Sequence, residues 1–318
     1  MSNQKVYVAK RIGHAAASLM QREGRASLRG HTSKGIYVQT GSRWILFLSF
    51  GRAIGPLTAT VEQDMMELND MQPGARVEIQ DGMLVFPIEG IAVDTRPAVV
   101  WHVPAVPAHP SSPEEQLERV GLLARQAVAV KQGLGLSILL PYLLWPEAVD
   151  SADLKPADTA VWEGVTTVRR GLVMGAVSSV LKGAEYLLGR GRGLTPSGDD
   201  FFLGTMLASK RWDMGLILPS DMEWLERELV SLSYDKTTAL SGNLIECAAR
   251  GEADERLLAL VDSIFCGIPP VQTSARPMLT WGSSSGVDAM TGMAVTVLAA
   301  AERAHCRKGG VCRPENAE

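Results

Sequence analysis

Histidine and cysteine are scarce in this chain. It has five histidines and four cysteines in 318 residues. They form no HExxH and no CxxC, so the spacings of a zinc hydrolase or a zinc ribbon are absent. The cysteines, Cys247, Cys266, Cys306 and Cys312, read as reduced thiols of a cytoplasmic protein. An excess of one charge is also missing. The formal net charge is −4 and no basic patch stands out, which argues against nucleic acid as a partner. Long apolar runs are absent too. The longest, Leu134 to Trp145, is broken by Pro141 and is too short to span a bilayer, so no membrane role is expected. The opening MSNQKVYVAKRIG lacks the apolar core of a signal peptide.

What is present is an ordinary globular composition, 46% hydrophobic and 21% charged, at a length that suits two domains or one large one. The first hundred residues are strand-like. Residues 35–50 read as a hairpin turning at Thr40-Gly41-Ser42, and 75–86 as another turning at Asp81-Gly82. Short strands are expected over 91–93 and 98–103, and a helix over 12–22. The segment VPAVPAHPSSP, with four prolines, reads as an extended linker. Beyond it the apolar spacing is helical. Helices are expected from Pro113 to about 132, within 160–188 with a break near Gly171, and from Asp199 to about Trp212. Others follow over 221–233, 238–250, 253–265 and 287–305. The expected fold class is α+β: a small β-rich N-terminal domain over 1–105, a Pro-rich linker over 106–114, a mainly α-helical domain over 115–305 and a disordered tail over 306–318.

The unusual chemistry lies at residues 189–200, GRGRGLTPSGDD. Three alternate glycines give backbone freedom. Thr195, Pro196 and Ser197 are helix-start residues. Asp199 and Asp200 fall in the first turn of the helix that follows. The segment has an echo: SGDDFFLG at 197–204 and SGVDAMTG at 285–292 both fit Ser-Gly-x-Asp-x-x-x-Gly. Each Ser with the Asp three residues on can form a capping box. Each final Gly lies on the face of its Asp. We expect the two helices to pack through Gly204 and Gly292, bringing Asp200 and Asp288 to one cleft.

The chain resembles the AllH-type family, which is similar to one subunit of an oxamate carbamoyltransferase. The resemblance rests on Gly189, Gly191, Gly193, Leu194, Thr195, Pro196, Ser197, Asp199 and Asp200. It rests also on Thr237 to Ser241 leading to Ala248 to Glu252, and on Ser284, Ser285, Gly286 and Asp288. Arg192 stands where the family has proline. His31-Thr32-Ser33 and Gly55-Pro56 fit more weakly. The resemblance implies interconversion of oxalurate plus phosphate with oxamate plus carbamoyl phosphate in purine and allantoin nitrogen catabolism. Its implied partners are an FdrA-type acyl-CoA-synthetase-like subunit and a second subunit.

Such a ligand suits the residues. A helix N-terminus attracts phosphate, the glycine loop lets donors approach it, and Arg190 and Arg192 offer bidentate contacts. Asp199 and Asp200 oppose it: two like charges at ~4 Å and an effective dielectric of ~20 cost roughly 4 kcal/mol. Either a divalent ion such as Mg2+, with Asp199 and Asp200 as candidate ligands, bridges carboxylate and phosphate, or Asp200 or Asp288 accepts hydrogen bonds from a substrate amide. Asp199, Asp200 and Asp288 are therefore the candidate catalytic residues. The candidate substrate-binding residues are Gly191, Arg192, Gly193, Thr195, Ser197, Gly198, Thr238, Ser241, Ser284, Ser285 and Gly286. The hydroxyls among them serve equally as helix caps. Ser197 has no neighbouring His to make it a nucleophile. His31 is a candidate acid or base, structural in the plainer reading, and Trp281 a candidate pocket floor. Two other function classes stay open: a non-catalytic assembly subunit, and a nucleotide-using phosphotransferase or ligase. The loop lacks the GxxxxGK[ST] lysine of the latter.

Overall fold

Apolar alternation and tight turns build the first unit, and apolar helical faces build the second. A computed structural model of the chain describes residues 4–41, 43–63, 68, 71–131, 134–147 and 156–307. It divides into two compact units, 1–105 with Glu252–Glu255, and 106–251 with 256–318.

The first unit carries ten strands among the described residues: β1 (Lys5–Val8), β2 (Arg11–Gly13), β3 (Gly24–Thr32), β4 (Gly35–Thr40), β5 (Ile45–Ser49), β6 (Thr58–Thr60), β7 (Arg76–Gln80), β8 (Met83–Phe86), β9 (Ile91–Asp94) and β10 (Val99–Trp101). They lie in the order β1-β9-β8-β7-β3-β4-β5-β6-β2-β10. The two nominal ends are continuous with the interior. β1 and β2 form one run bent at Ala9-Lys10, where Ala9 N–H donates to Asp94 O and Lys10 N–H to Thr60 O. β1 pairs in parallel with β9 and β2 with β10. The sheet thus curls, and its short end strands β1 and β10 each pair on one side only. Leu28, Ile36, Val38, Leu46, Leu48, Phe86 and Val93 fill the core.

Both expected hairpins form. β4 and β5 pair antiparallel, with Tyr37 stacked on Phe47. β7 and β8 are joined at Asp81 and Gly82, both at positive φ, as a type I′ turn requires. The expected helix at 12–22 is shorter: Arg11–Gly13 is strand, and α1 spans His14–Met20. Its start is fixed by Gly13, where a Cβ would lie 2.1 Å from Gly55 O.

The second unit is helical: α2 (Pro113–Lys131), a 3₁₀ turn (Gly135–Leu139), α3 (Leu140–Leu144), α4 (Pro156–Met174), α5 (Val177–Leu187), α6 (Ser197–Arg211), α7 (Pro219–Lys236), α8 (Ala239–Ala248), α9 (Glu255–Cys266, whose first residue counts with the first unit), α10 (Val271–Leu279) and α11 (Ser285–Arg307). The α+β class is as expected. A reciprocal Ser112–Glu115 capping box starts α2. The expected break at Gly171 falls instead at Gly175, which is at φ +67. Gly171 serves close packing: a Cβ there would lie 2.8 Å from Val180 N. Residues 308–318, most of the expected tail, lie outside the described residues. Cys247 and Cys266 are free thiols. Cys306 is disulfide-bonded, which corrects the all-reduced reading. No single helix among the described residues is long and apolar enough to cross a membrane.

α6 and α11 form the centre of this unit. Both are buried without interruption over equivalent stretches, Gly198–Ser209 and Gly286–Val297, as expected for helices apolar all round. Their contact is reciprocal. A Cβ on Gly204 would lie 2.0 Å from Ala289 O, and one on Gly292 2.0 Å from Phe201 O. The expected packing through Gly204 and Gly292 is therefore present. Gly198 and Gly286 repeat the device against the preceding helices, with Cβ positions 1.8 Å from Leu187 O and 1.9 Å from Met278 O. The two helix starts are thus related by an approximate two-fold.

Gly204→Ala or Gly292→Ala must separate the helices and is expected to cost about 1–3 kcal/mol or more. Gly121→Ala in α2, where a Cβ meets nothing within 4 Å, is the control and should be neutral or slightly stabilising. Urea midpoints of the three variants check this. Equal midpoints would contradict the close contact.

Candidate active site at the paired helix starts

The glycine loop is held by its backbone geometry. Gly189, Gly191 and Gly193 have φ of 78°, 125° and 100°, values that favour glycine. The loop folds back so that Arg190 O accepts Gly198 N–H at 3.0 Å, while Pro196 O accepts the N–H of Asp199 and Asp200. The start of α6 therefore satisfies most of its own donors. Pro196, not Ser197, occupies the cap position, and no side chain caps the helix. The expected Ser197–Asp200 capping box does not form.

The two adjacent carboxylates are separated in role. Asp199 Oδ1 accepts Gly189 N–H at 2.8 Å. Its other oxygen accepts the Thr237 hydroxyl, and the Ser241 hydroxyl also bonds the carboxylate. Burial raises the Asp199 pKa, and these hydrogen bonds oppose the rise. Thr238 caps α8, accepting Ser241 N–H at 3.1 Å, and donates to Leu194 O at 2.8 Å. Thr237, Thr238 and Ser241 thus clamp the loop at Asp199 and Leu194 and line no part of the cavity described below.

Asp200 turns to the other helix. It is 4% exposed and takes hydrogen bonds from Ser285 and Thr195, whose hydroxyls lie 3.1 Å apart. Its Oδ2 has no hydrogen-bond partner among the described residues. Burial first, then the charges of Asp288 and Asp199, lift its carboxyl well above the usual carboxylate range, against those two hydrogen bonds. Asp288 is fully buried, and its Oδ1 accepts Leu136 N–H at 2.6 Å. Gly135 permits this approach: at φ +60, a Cβ would lie 2.3 Å from Asp288 Oδ1 and 2.7 Å from Ser284 Cβ. Asp200 and Asp288 come close enough for their charges to interact, but both are buried and neither lines the cavity beside them, so the expected shared cleft is a closed seam. The 3₁₀ turn covering Asp288 carries no motif and was missed.

A cavity of about 170 Å³ opens beside this pair, lined among others by Leu136, Val161, Arg190, Gly191, Ser197 and Gly198. Arg192 and Gly193 are exposed on the loop outside its lining, and Gly286 packs on Met278 O. Trp281 lies under the Arg256 guanidinium, 4.9 Å away. His31 is in β3 of the first unit. A larger cavity, about 420 Å³, is lined by Trp212, Phe265 and Ala304 and holds none of the motif residues. No group of three or more His, Cys, Asp or Glu among the described residues is arranged to hold a metal.

Residues 187–297 match the family described as oxamate carbamoyltransferase subunit AllH. The matched segment runs from the last residue of α5, whose carbonyl meets Gly198, to the end of the buried stretch of α11. It contains the glycine loop, the Thr237–Ser241 clamp and the second helix start. That description names a subunit, so members of that family work with partner subunits. No curated protein and no solved structure matches the chain.

The raised Asp200 pKa has a stability consequence. Its folded value lies above the unfolded one, about 3.9, so the contribution is present below the unfolded value and lost as pH rises through the folded value. Asp200→Asn, which mimics the protonated acid, should lose this decline and be more stable than wild type at neutral pH. Urea unfolding from pH 4 to 8 in EDTA measures it. An identical slope in the variant would contradict the assignment.

Proposed function

We propose that this chain is the subunit of an oxamate-type carbamoyltransferase that binds the transferred group. The reaction interconverts oxalurate plus phosphate with oxamate plus carbamoyl phosphate, in purine and allantoin nitrogen catabolism in the cytoplasm. An FdrA-type acyl-CoA-synthetase-like subunit and a further subunit are its partners. In the phosphorolytic direction a phosphate oxygen adds to the ureido carbonyl of oxalurate. The C–N bond breaks, and the nitrogen leaves as the oxamate amide after taking a proton.

The cavity beside the start of α6 carries this reading. Its guanidinium, Arg190, suits a phosphate oxygen. Gly191 lets the loop pack onto the start of α6, with its Cβ position 2.5 Å from Ser197 N, and the positive end of α6 favours an anion. Leu136 and Val161 supply an apolar wall that keeps water from an acyl phosphate. The volume suits a molecule of carbamoyl phosphate size. It is below the roughly 300–1,000 Å³ of ordinary ligand pockets, which disfavours a nucleotide-using phosphotransferase.

The depth of Asp199, Asp200 and Asp288, each 4% exposed or less, favours a second reading: an assembly subunit whose motifs are structural. Two measurements separate these. Calorimetry should detect phosphate and carbamoyl phosphate, weakened about tenfold or more by Arg190→Ala, with ATP binding no better. Stronger ATP binding would sink the leading reading. In the assembled complex, Asp200→Ala should cut oxalurate phosphorolysis. Unchanged turnover with intact assembly would favour the assembly role.

A further inference from the structure

The start of α6 holds a buried carboxyl group, Asp200, with an oxygen that the described residues leave without a hydrogen-bond partner. Asp199 is accounted for by three donors, Gly189 N–H and the Thr237 and Ser241 hydroxyls. Asp200 is not. The charged groups acting on it are Asp288 and Asp199, both negative, and no Lys or Arg is among them. Its bonded neighbours are the hydroxyls of Ser285 and Thr195. These lie within hydrogen-bond distance of each other, 3.1 Å apart. The positive ends of α6 and α11 contribute only about half a charge each. A buried carboxylate oxygen without a partner is costly, and Asp200 Oδ2, in a side chain more than nine-tenths buried, is such an atom.

We infer that Asp200, Asp288, Ser285 and Thr195 form a site for one hard divalent cation of the Mg2+ or Mn2+ class. The donors are all oxygens, the set that hard cations prefer over softer metals. Two carboxylates match a charge of +2. Mg2+ is commonly held by one or two carboxylates with the remaining positions on water or ligand. This explains how a site can exist where no three acidic or imidazole side chains converge among the described residues. The approximate two-fold supplies the reason for its position: each helix start brings one Asp to the seam, and Ser285 of one start bonds Asp200 of the other. Leu136 N–H, fixed on Asp288 Oδ1 by the closeness of Gly135, orients the second carboxylate. The site stands apart from the phosphate reading, which uses Arg190 and the cavity.

The test uses the full-length chain stripped with EDTA and titrated with Mn2+, followed by electron paramagnetic resonance and calorimetry. About one Mn2+ per chain should bind and be displaced by Mg2+. Asp200→Asn should abolish binding. Ser285→Ala, a milder change, should weaken it roughly 10–100-fold, with circular dichroism confirming a folded chain. Arg190→Ala should leave Mn2+ binding intact while losing phosphate, so failure of the phosphate site and failure of the cation site are separable. Absence of Mn2+ binding to wild type, or equal binding to folded Asp200→Asn, would overturn the inference and leave a proton as the occupant of the pair.

Discussion

The backbone contact between α6 and α11 is the constraint from which the rest of the helical unit follows. A carbonyl on each helix sits where the other helix would carry a Cβ, so both positions must be glycine. Helices this close leave no room for water at the glycine contact itself. The polar groups at their starts therefore meet across the seam, through Thr195, Ser285 and Asp200, with Asp200 Oδ2 left over. The carboxylates are deep because the glycines are where they are. The raised affinity of Asp199 and Asp200 for protons is a consequence of that depth.

The neighbouring segments answer the same constraint. Asp199 points away from the seam and anchors the first glycine of the loop to Thr237. Two adjacent aspartates thus do opposite work: one ties the loop to α8, the other faces the second helix. The loop closes its own amides on Arg190 O and Pro196 O, so recognition of an anion falls to the Arg190 side chain and the field of the helix.

Much of this was legible in the sequence, and the failures have physical causes. The hairpins were readable because Asp81-Gly82 and Thr40-Gly41 carry turn chemistry beside alternating apolar residues. β3 was not: a register shift between Leu28 and Gly30 breaks its alternation. β6 has too few residues to show a period. α10 was hidden by Pro277 in its last turn. The pairing of the helix starts was legible from the repeated Ser-Gly-x-Asp-x-x-x-Gly. The partners of its aspartates were not. Local pattern favours a capping box, whereas tertiary packing supplied Ser285 for Asp200 and a backbone amide from the motif-free 3₁₀ turn for Asp288.

The loops leading into the two helices differ in length, residues 188–196 against 280–284. A perfectly two-fold site presents the same face to both ends of whatever enters it and cannot tell head from tail. The longer, glycine-rich entry to α6 breaks that equivalence on one side only. A ligand with unlike ends would then have one orientation of lower energy, and the polarity of the site resides in a difference of loop length, not in the helices that frame it.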